Sequence, residues 1–540
     1  MSKETKTFIK GAIILSIGGV IAKILSAFFR IPLTHLIKDT GIGYYQMPYP
    51  IYTLMIAIAY TGIPSTVSKI VSERLVHKKY KEAHRIFQYT FIVLIFTGVL
   101  ASLFLFLGAD WLIYMQGWVP EAKYSLLGLA LSPIFIAIMG AFRGYFQGMQ
   151  NMFPTATSQI FESFARVIFG LGLAYYFMSS NFGIAVAAGG ASFGATAGAI
   201  FGTLILLIYY LTKRKKIIEK VHEDNESNQE VEFLPTAARI LWIAFPVSVG
   251  AAVNSVMNWA DSALVVRRLI HAGATQLEAT DLFGQIGKAS TFINIPLTFS
   301  MALVVGLVPS IAEAIEKRNK KELHDKIEWG TRFAMLLGLP SAAGLGILAQ
   351  PLMTLIYWEY NKGASILALL SISLVFIILG QAYTGVLQGM GKFYIPVVNL
   401  LIAVLCKALV NYTLVAGPLG VNGAAIGSII GYGVFAILNY IFVKKYSDFK
   451  MNLKLVIFKP LLSTLLMAGV TFGVYYLFRN FTGNTISTLT AVACGVIIYA
   501  LMLLLTGAIA EEDFHMIPQG DKLLWLLKKV KIIKVQSRSL

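Results

Sequence analysis

Apolar runs of about 20 residues recur along the whole chain, separated by short polar connections. A run of that length is what a helix needs to cross a bilayer, and a helix satisfies its own backbone polar groups where no water can. The pattern predicts about fourteen spans, at 8–37, 44–68, 86–108, 123–146, 154–178, 183–212, 238–268, 281–309, 328–357, 364–387, 394–416, 419–443, 455–478 and 484–509. The expected fold class is an all-α polytopic membrane protein. Pro32, Pro64, Pro246, Pro296, Pro309 and Pro340 interrupt or end spans, and proline inside a helix removes a hydrogen bond and bends it. Span 6 carries Gly183, Gly189, Gly190, Gly194, Gly198 and Gly202, partly at the four-residue spacing that favours close helix packing.

Lysine and arginine placement orients the spans. The connection after span 2 carries Lys69, Arg74, Lys78, Lys79, Lys81 and Arg85; that after span 6 carries Lys213 to Lys216; that after span 8 carries Lys317, Arg318, Lys320 and Lys321; that after span 12 carries Lys444, Lys445 and Lys450. All follow even-numbered spans, so they share one side with both termini. The odd connections, such as 110–121 and 479–484, are short and poorer in basic residues, with Arg267 and Arg268 as the main exception. The expectation is a bacterial cytoplasmic-membrane protein with both termini in the cytoplasm.

Composition agrees and removes other classes. Of 540 residues, 57% are hydrophobic and 13% charged, with a mean hydropathy of +0.71. The net charge of +18 would suggest nucleic acid in a soluble protein. Here the basic residues sit in short loops, where they set topology and meet anionic headgroups, so no nucleic-acid partner is expected. Cys406 and Cys494 lie in apolar runs without metal-ligand spacing, and no metal site is expected. Lys3, Lys6 and Lys10 before an apolar run resemble a signal peptide, but no small-residue cleavage site follows and Lys23 interrupts the run. A retained first helix is expected.

An internal repeat divides the chain. Gly144-Tyr145-Phe146-Gln147-Gly148-Met149 near the end of span 4 returns as Gly385-Val386-Leu387-Gln388-Gly389-Met390 near the end of span 10, an offset of 241 residues. Gly62-Ile63-Pro64-Ser65 at the end of span 2 returns as Gly306-Leu307-Val308-Pro309-Ser310 at the end of span 8, an offset of about 245. Six spans per half keep equivalent spans in the same orientation, so the halves are expected to be related by an axis along the membrane normal, with a cargo site between them. The domain organisation expected is an N-terminal lobe at 1–216, a polar cytoplasmic linker at 217–235, a C-terminal lobe at 236–450, spans 13 and 14 at 451–512, and a basic amphipathic tail at 513–540, either lying on the inner membrane surface or frayed.

Charges inside spans are costly and mark function. Lys23 and Arg30, seven residues apart in span 1, share a helix face about 10 Å apart. They form a cationic stripe, expected to line an internal cavity for an anionic cargo; the alternative for Arg30 is snorkelling to the interface. Glu162 and Arg166, four apart in span 5, can pair, either as structural glue or in binding and gating. Asp261, with Asn254 and Asn258 on nearby turns of span 7, is a candidate for a coupling cation or proton, or for interhelical contacts. Lys288 and Lys407 complete the basic set with Arg166. No phosphate-binding loop, HExxH or GxSxG motif is present. No cofactor and no enzymatic activity are expected; energy would come from a sodium or proton gradient, the membrane potential or the cargo gradient.

The run Arg143-Gly144-Tyr145-Phe146-Gln147-Gly148-Met149-Gln150-Asn151-Met152-Phe153-Pro154-Thr155 resembles the signature of the polysaccharide-exporter group of the MOP superfamily, as does Gly62-Ile63-Pro64-Ser65-Thr66-Val67-Ser68-Lys69. Within that group the chain is similar to the MurJ/YtgP-type lipid II flippases, with the sporulation protein SpoVB a related member, over essentially its whole length. The resemblance implies translocation of an undecaprenyl-pyrophosphate-linked peptidoglycan precursor from the inner to the outer leaflet by alternating access. It implies two six-helix lobes in a V around a cationic cavity, with spans 13 and 14 forming a groove for the lipid tail. Basic residues of the family's first helix line that cavity; Lys23 and Arg30 fall at those places, with a spacing about one residue longer. A cavity arginine of Gram-negative members falls near Thr291, and Lys288 one turn earlier is its expected substitute. The partners implied are a lipid-linked glycan, the bilayer, and cell-wall synthesis or division machinery. The alternatives are export of another lipid-linked oligosaccharide (teichoic acid, capsule or spore cortex precursor) and cation or drug antiport as in the related MATE group. The Lys and Arg set argues against antiport.

Overall fold

The structure is a computed structural model that describes residues 3–57, 62–224 and 232–509. Among them there are helices and turns and no strand. The expected tail at 513–540 lies outside the described residues, as do residues 225–231 of the expected linker. The first residues of that linker are helical, because the helix of span 6 continues to His222.

The helices in order are α1 Lys3–Gln46, α2 Tyr49–Ile56, α3 Gly62–Val76, α4 Tyr80–Leu107, α5 Ala109–Gln116, α6 Ala122–Ala130, α7 Ser132–Gly148, α8 Phe153–Ser179, α9 Ile184–His222, α10 Phe233–His271, α11 Gln276–Glu316, α12 Lys320–Ile347, α13 Ala349–Tyr357, α14 Ala364–Gly389, α15 Tyr394–Leu414, α16 Asn422–Ser447 and α17 Lys459–Leu505. Each apolar stretch read from the sequence falls on one helix or on two consecutive ones, except 44–68, which touches α1, α2 and α3. Among the described residues nine helices are long and apolar enough to cross a membrane, ten if the pair bent by 72° at α12 and α13 is one span. That criterion does not reach fourteen. Part of the difference is that α17 is continuous by hydrogen bonding yet breaks at Gly483 (φ 74°, ψ 177°), between the stretches read as spans 13 and 14. The connection at 110–121 is not a plain loop, since α5 occupies Ala109–Gln116.

Two compact units emerge: residues 1–288 with 411–421, and residues 289–410 with 422–540. In the first, α8 packs on α9 and on α1, and α7 packs on α3 and α4. The glycine stripe of span 6 makes the α8–α9 approach. A Cβ at Gly194 would strike the Arg166 carbonyl, and one at Gly198 the Glu162 carbonyl, so backbone meets backbone there. In the second unit, α14 packs on α12 and α16, and α17 packs on α12.

The sequence repeat is a repeat of contacts. In the first unit Gly144 and Gly148 of α7 lie against Pro64, Val67 and Val71 of α3. In the second, Gly385 and Gly389 of α14 lie against Val304, Val308 and Ile311 of α11. The turns repeat too. After α7, Gln150 takes φ 58° with Gln150 N donating to Gln147 O and Asn151 N to Phe146 O; after α14, Gly391 takes φ 74° with Gly391 N donating to Gln388 O and Lys392 N to Leu387 O. The same left-handed cap closes α3 at Lys78 and α11 at Arg318.

Candidate functional site

Arg30 and Asp39 of α1 meet α11 in the first unit. Helix α1 contains Pro32 and bends again at Lys38, which takes φ 59° and ψ −172°. Beyond that bend the chain runs close to α11. A Cβ at Gly43 would strike the Thr280 carbonyl, and one at Gly284 the Asp39 carbonyl. Two small residues thus bring the backbones together, and polar side chains stitch the seam. Arg30 donates through Nη1 to the Gly287 carbonyl (2.7 Å) and through Nη2 to Gln46 Oε1 (2.9 Å). Its guanidinium also lies 5.7 Å from the centre of the Tyr45 ring, within cation–π range. Lys288 Nζ is 2.7 Å from Asp39 Oδ1, with the lysine side chain only 1% exposed. Thr40 donates to Asp281. Two cations expected to face cargo are here occupied by groups of the protein itself. Such a seam is closed.

A second charged cluster lies on α7 and α8. Glu162 accepts from Arg166 (3.2 Å), as its four-residue spacing predicts, and also from Arg143 (2.9 Å). Arg143 further donates through Nε to Ser158 Oγ (3.0 Å). One carboxylate between two guanidinium groups leaves a net positive charge. The cluster is partly buried.

Asp261 on α10 is 7% exposed and accepts from Asn411 Nδ2 on α15 at 2.8 Å. Asn254 is half-buried and Asn258 exposed. Lys407 is fully buried in the second unit, 5.9 Å from the centre of the Tyr432 ring. The Lys23 side chain lies outside the described residues. The exceptional basic pair of span 7 has local partners: Arg268 donates to the Tyr412 carbonyl (3.0 Å) and stacks 3.9 Å from that ring, and Arg267 lies against Gly117. Cys406 and Cys494 are free thiols, and no group of His, Cys, Asp or Glu among the described residues could hold a metal ion.

Sequence reasoning missed Asp39, Gln46, Arg143 and the buried Arg332 of α12. Asp39 left a signal: it is the one carboxylate between Glu4 and Glu73, beside a run carrying two cations. Arg143 was visible within its motif, and Glu162 is the acidic partner a buried arginine on a neighbouring helix needs.

Bent apolar helices and a doubled packing motif define a polytopic membrane protein. Solved structures share this fold. An inward-facing multidrug resistance MATE family transporter of the MOP superfamily aligns with a TM-score of 0.66 at 16% identity, over 81% of this chain and 98% of that one. A lipid II flippase MurJ in an inward closed conformation aligns at 0.64 and 17% identity, over 91% and 98%. By sequence, residues 8–284 match the family described as polysaccharide biosynthesis protein, and residues 286–505 match the family described as lipid II flippase MurJ. The chain belongs to the polysaccharide biosynthesis protein family. Three relatives from Bacillus subtilis (strain 168) cover most of it. The uncharacterized membrane protein YabM is 27% identical over 96% of both chains, lipid II flippase MurJ 28% identical over 82% of this chain and 84% of its own, and stage V sporulation protein B 25% identical over 97% and 100%.

Proposed function

We propose that this protein is a flippase for lipid II, carrying the undecaprenyl-pyrophosphate-linked peptidoglycan precursor from the inner to the outer leaflet by alternating access, with both termini in the cytoplasm. The observation that carries the reading is the cationic set on α1 and α11. Arg30 and Lys288 engage Gly287 O and Asp39 across a seam between two helices. A pyrophosphate competes for these groups, because charge-assisted hydrogen bonds to an anion are stronger than those to a neutral carbonyl. Arg30 offers a bidentate fork and Lys288 a point charge. Lys23, seven residues before Arg30 in the sequence, is proposed to extend the set. In this reading the seam closes one side of the path, and its parting releases the headgroup while the tail stays in lipid. Asp261 with Asn411 is the proposed place for a coupling sodium ion or proton, and the Arg143–Glu162–Arg166 cluster the proposed gate-side anion contact.

A second cargo is favoured by a specific observation. The first half matches the broader polysaccharide biosynthesis family, and a sporulation protein is among the full-length relatives. A spore cortex precursor or another lipid-linked oligosaccharide would use the same phosphate contacts. A cationic drug would not, since Lys and Arg repel it.

The test is lipid II exposure on the outer leaflet of Gram-positive cells depleted of their own flippases. Cells express this protein or its Lys23→Ala/Arg30→Ala variant at matched levels. Wild type is expected to restore exposure and the variant to fail. Wild type that inserts correctly yet leaves lipid II unexposed assigns the protein to a different lipid-linked glycan.

A further inference from the structure

A cavity of about 390 Å³ opens in the second unit, where the Gly483 break of α17 meets the corner between α12 and α13. One wall is fixed by hydrogen bonds. Tyr475 donates to Asn484 Oδ1 (2.9 Å), and Asn484 Nδ2 donates to the Pro351 carbonyl (3.1 Å). The lining also carries Gln350 and Asn361, whose amides both donate to Thr354 Oγ1 at 3.3 Å. A primary amide has two N–H groups and a carbonyl oxygen, so each retains hydrogen-bonding capacity toward the cavity. At the rim stands Arg479, its guanidinium 5.9 Å from the centre of the Tyr475 ring. Among the described residues no carboxylate lies within ion-pair distance of Arg479.

The surroundings decide what fits. The break joins two apolar stretches, so the cavity lies at a membrane face, at the level of lipid phosphates. Beside it α17 exposes Phe472, Tyr476, Leu477 and Phe481, the last by 83%. A cation, a pair of amides and an adjoining apolar surface match a ligand with a phosphate, hydroxyls and acyl chains. The volume accommodates a phosphate with a small polyol and excludes a disaccharide carrying a peptide.

We infer that this cavity binds the headgroup of an anionic glycerophospholipid, with Arg479 on the phosphodiester and Gln350 and Asn361 on the headgroup hydroxyls. The bound lipid wedges the α17 break against the α12–α13 corner. The site shares no residue with the cationic set on α1 and α11, and its existence does not rest on lipid II being the cargo.

The experiment uses the purified full-length protein, stripped of lipid, in detergent. Phosphatidylglycerol, phosphatidylethanolamine and undecaprenyl phosphate are titrated separately, with binding counted by native mass spectrometry and followed by the melting temperature. Phosphatidylglycerol is expected to bind and to raise the melting temperature, with phosphatidylethanolamine much weaker. Arg479→Gln is expected to bind phosphatidylglycerol about tenfold more weakly and to melt like wild type without lipid. Arg479→Lys recovers part of the affinity, and Lys317→Gln, in the same unit but outside the cavity lining, leaves it unchanged. Equal binding by wild type and Arg479→Gln overturns the site. Saturation by undecaprenyl phosphate with indifference to phosphatidylglycerol overturns the phospholipid assignment and gives the cavity to the carrier lipid.

Discussion

The residue that most alters the reading of this chain is Asp39. It converts Lys288 from an open cargo contact into one half of a buried ion pair at 2.7 Å. Removing one partner of such a pair strands the other charge, at a cost of about 3–5 kcal/mol, whereas removing both together is often nearly neutral. Asp39→Asn and Lys288→Met are therefore each expected to lower the unfolding free energy of the purified protein by about 3 kcal/mol. The double variant is expected to lose clearly less than the two single losses combined, as read from denaturant melts. Simple additivity would mean that the two groups do not act as a pair. Arg30 belongs to the same scale. Its two nitrogens reach a carbonyl and an amide oxygen on different parts of the chain, a geometry that lysine cannot reproduce.

Helices α1 and α11 show how an element is placed by what it lacks. Their approach depends on Gly43 and Gly284, where any side chain would run into a backbone carbonyl. Valine at Gly284 is expected to hold the helices apart. The measurement is labelling of Thr40→Cys by a membrane-impermeant maleimide, in protein whose Cys406 and Cys494 have been replaced by alanine. Thr40 is hydrogen-bonded to Asp281 in the closed seam, so labelling should rise several-fold when Gly284→Val is added. Unchanged labelling would show that the seam does not depend on this approach. The α8–α9 pair follows the same logic with a different result. There the glycine stripe presses α9 onto the face of α8 that bears Glu162 and Arg166, and so fixes that cluster.

For the whole molecule, the repeat has consequences that can be measured twice. Gly148 and Gly389 occupy equivalent places, each with a β-branched side chain and a carbonyl oxygen close by: Val71 and Ser68 O for the first, Ile311 and Val308 O for the second. Overpacking of this kind costs about 1–3 kcal/mol. Gly148→Val and Gly389→Val should therefore lower the melting temperature of the purified protein by comparable amounts. A large loss at one site and none at the other would break the equivalence of the two motifs. At this scale the same helix pair is built twice.

The positions of the helices, the α17 break near residue 483, the repeated glycine motifs and the Glu162–Arg166 pair were legible in the sequence, because each depends on composition or on spacing within one segment. Periodicity and hydropathy report which residues share a face and how long a span is. They do not report which helix that face meets. Arg30 and Gly287 lie 257 residues apart, Asp261 and Asn411 150, and Lys288 and Asp39 249 (288 − 39), and only the packing of whole helices against one another could choose such partners. The sequence determined a membrane-spanning, internally repeated, cation-bearing chain. The tertiary structure decided that those cations close a seam, since a buried charge takes whichever partner the neighbouring backbone brings within hydrogen-bonding distance.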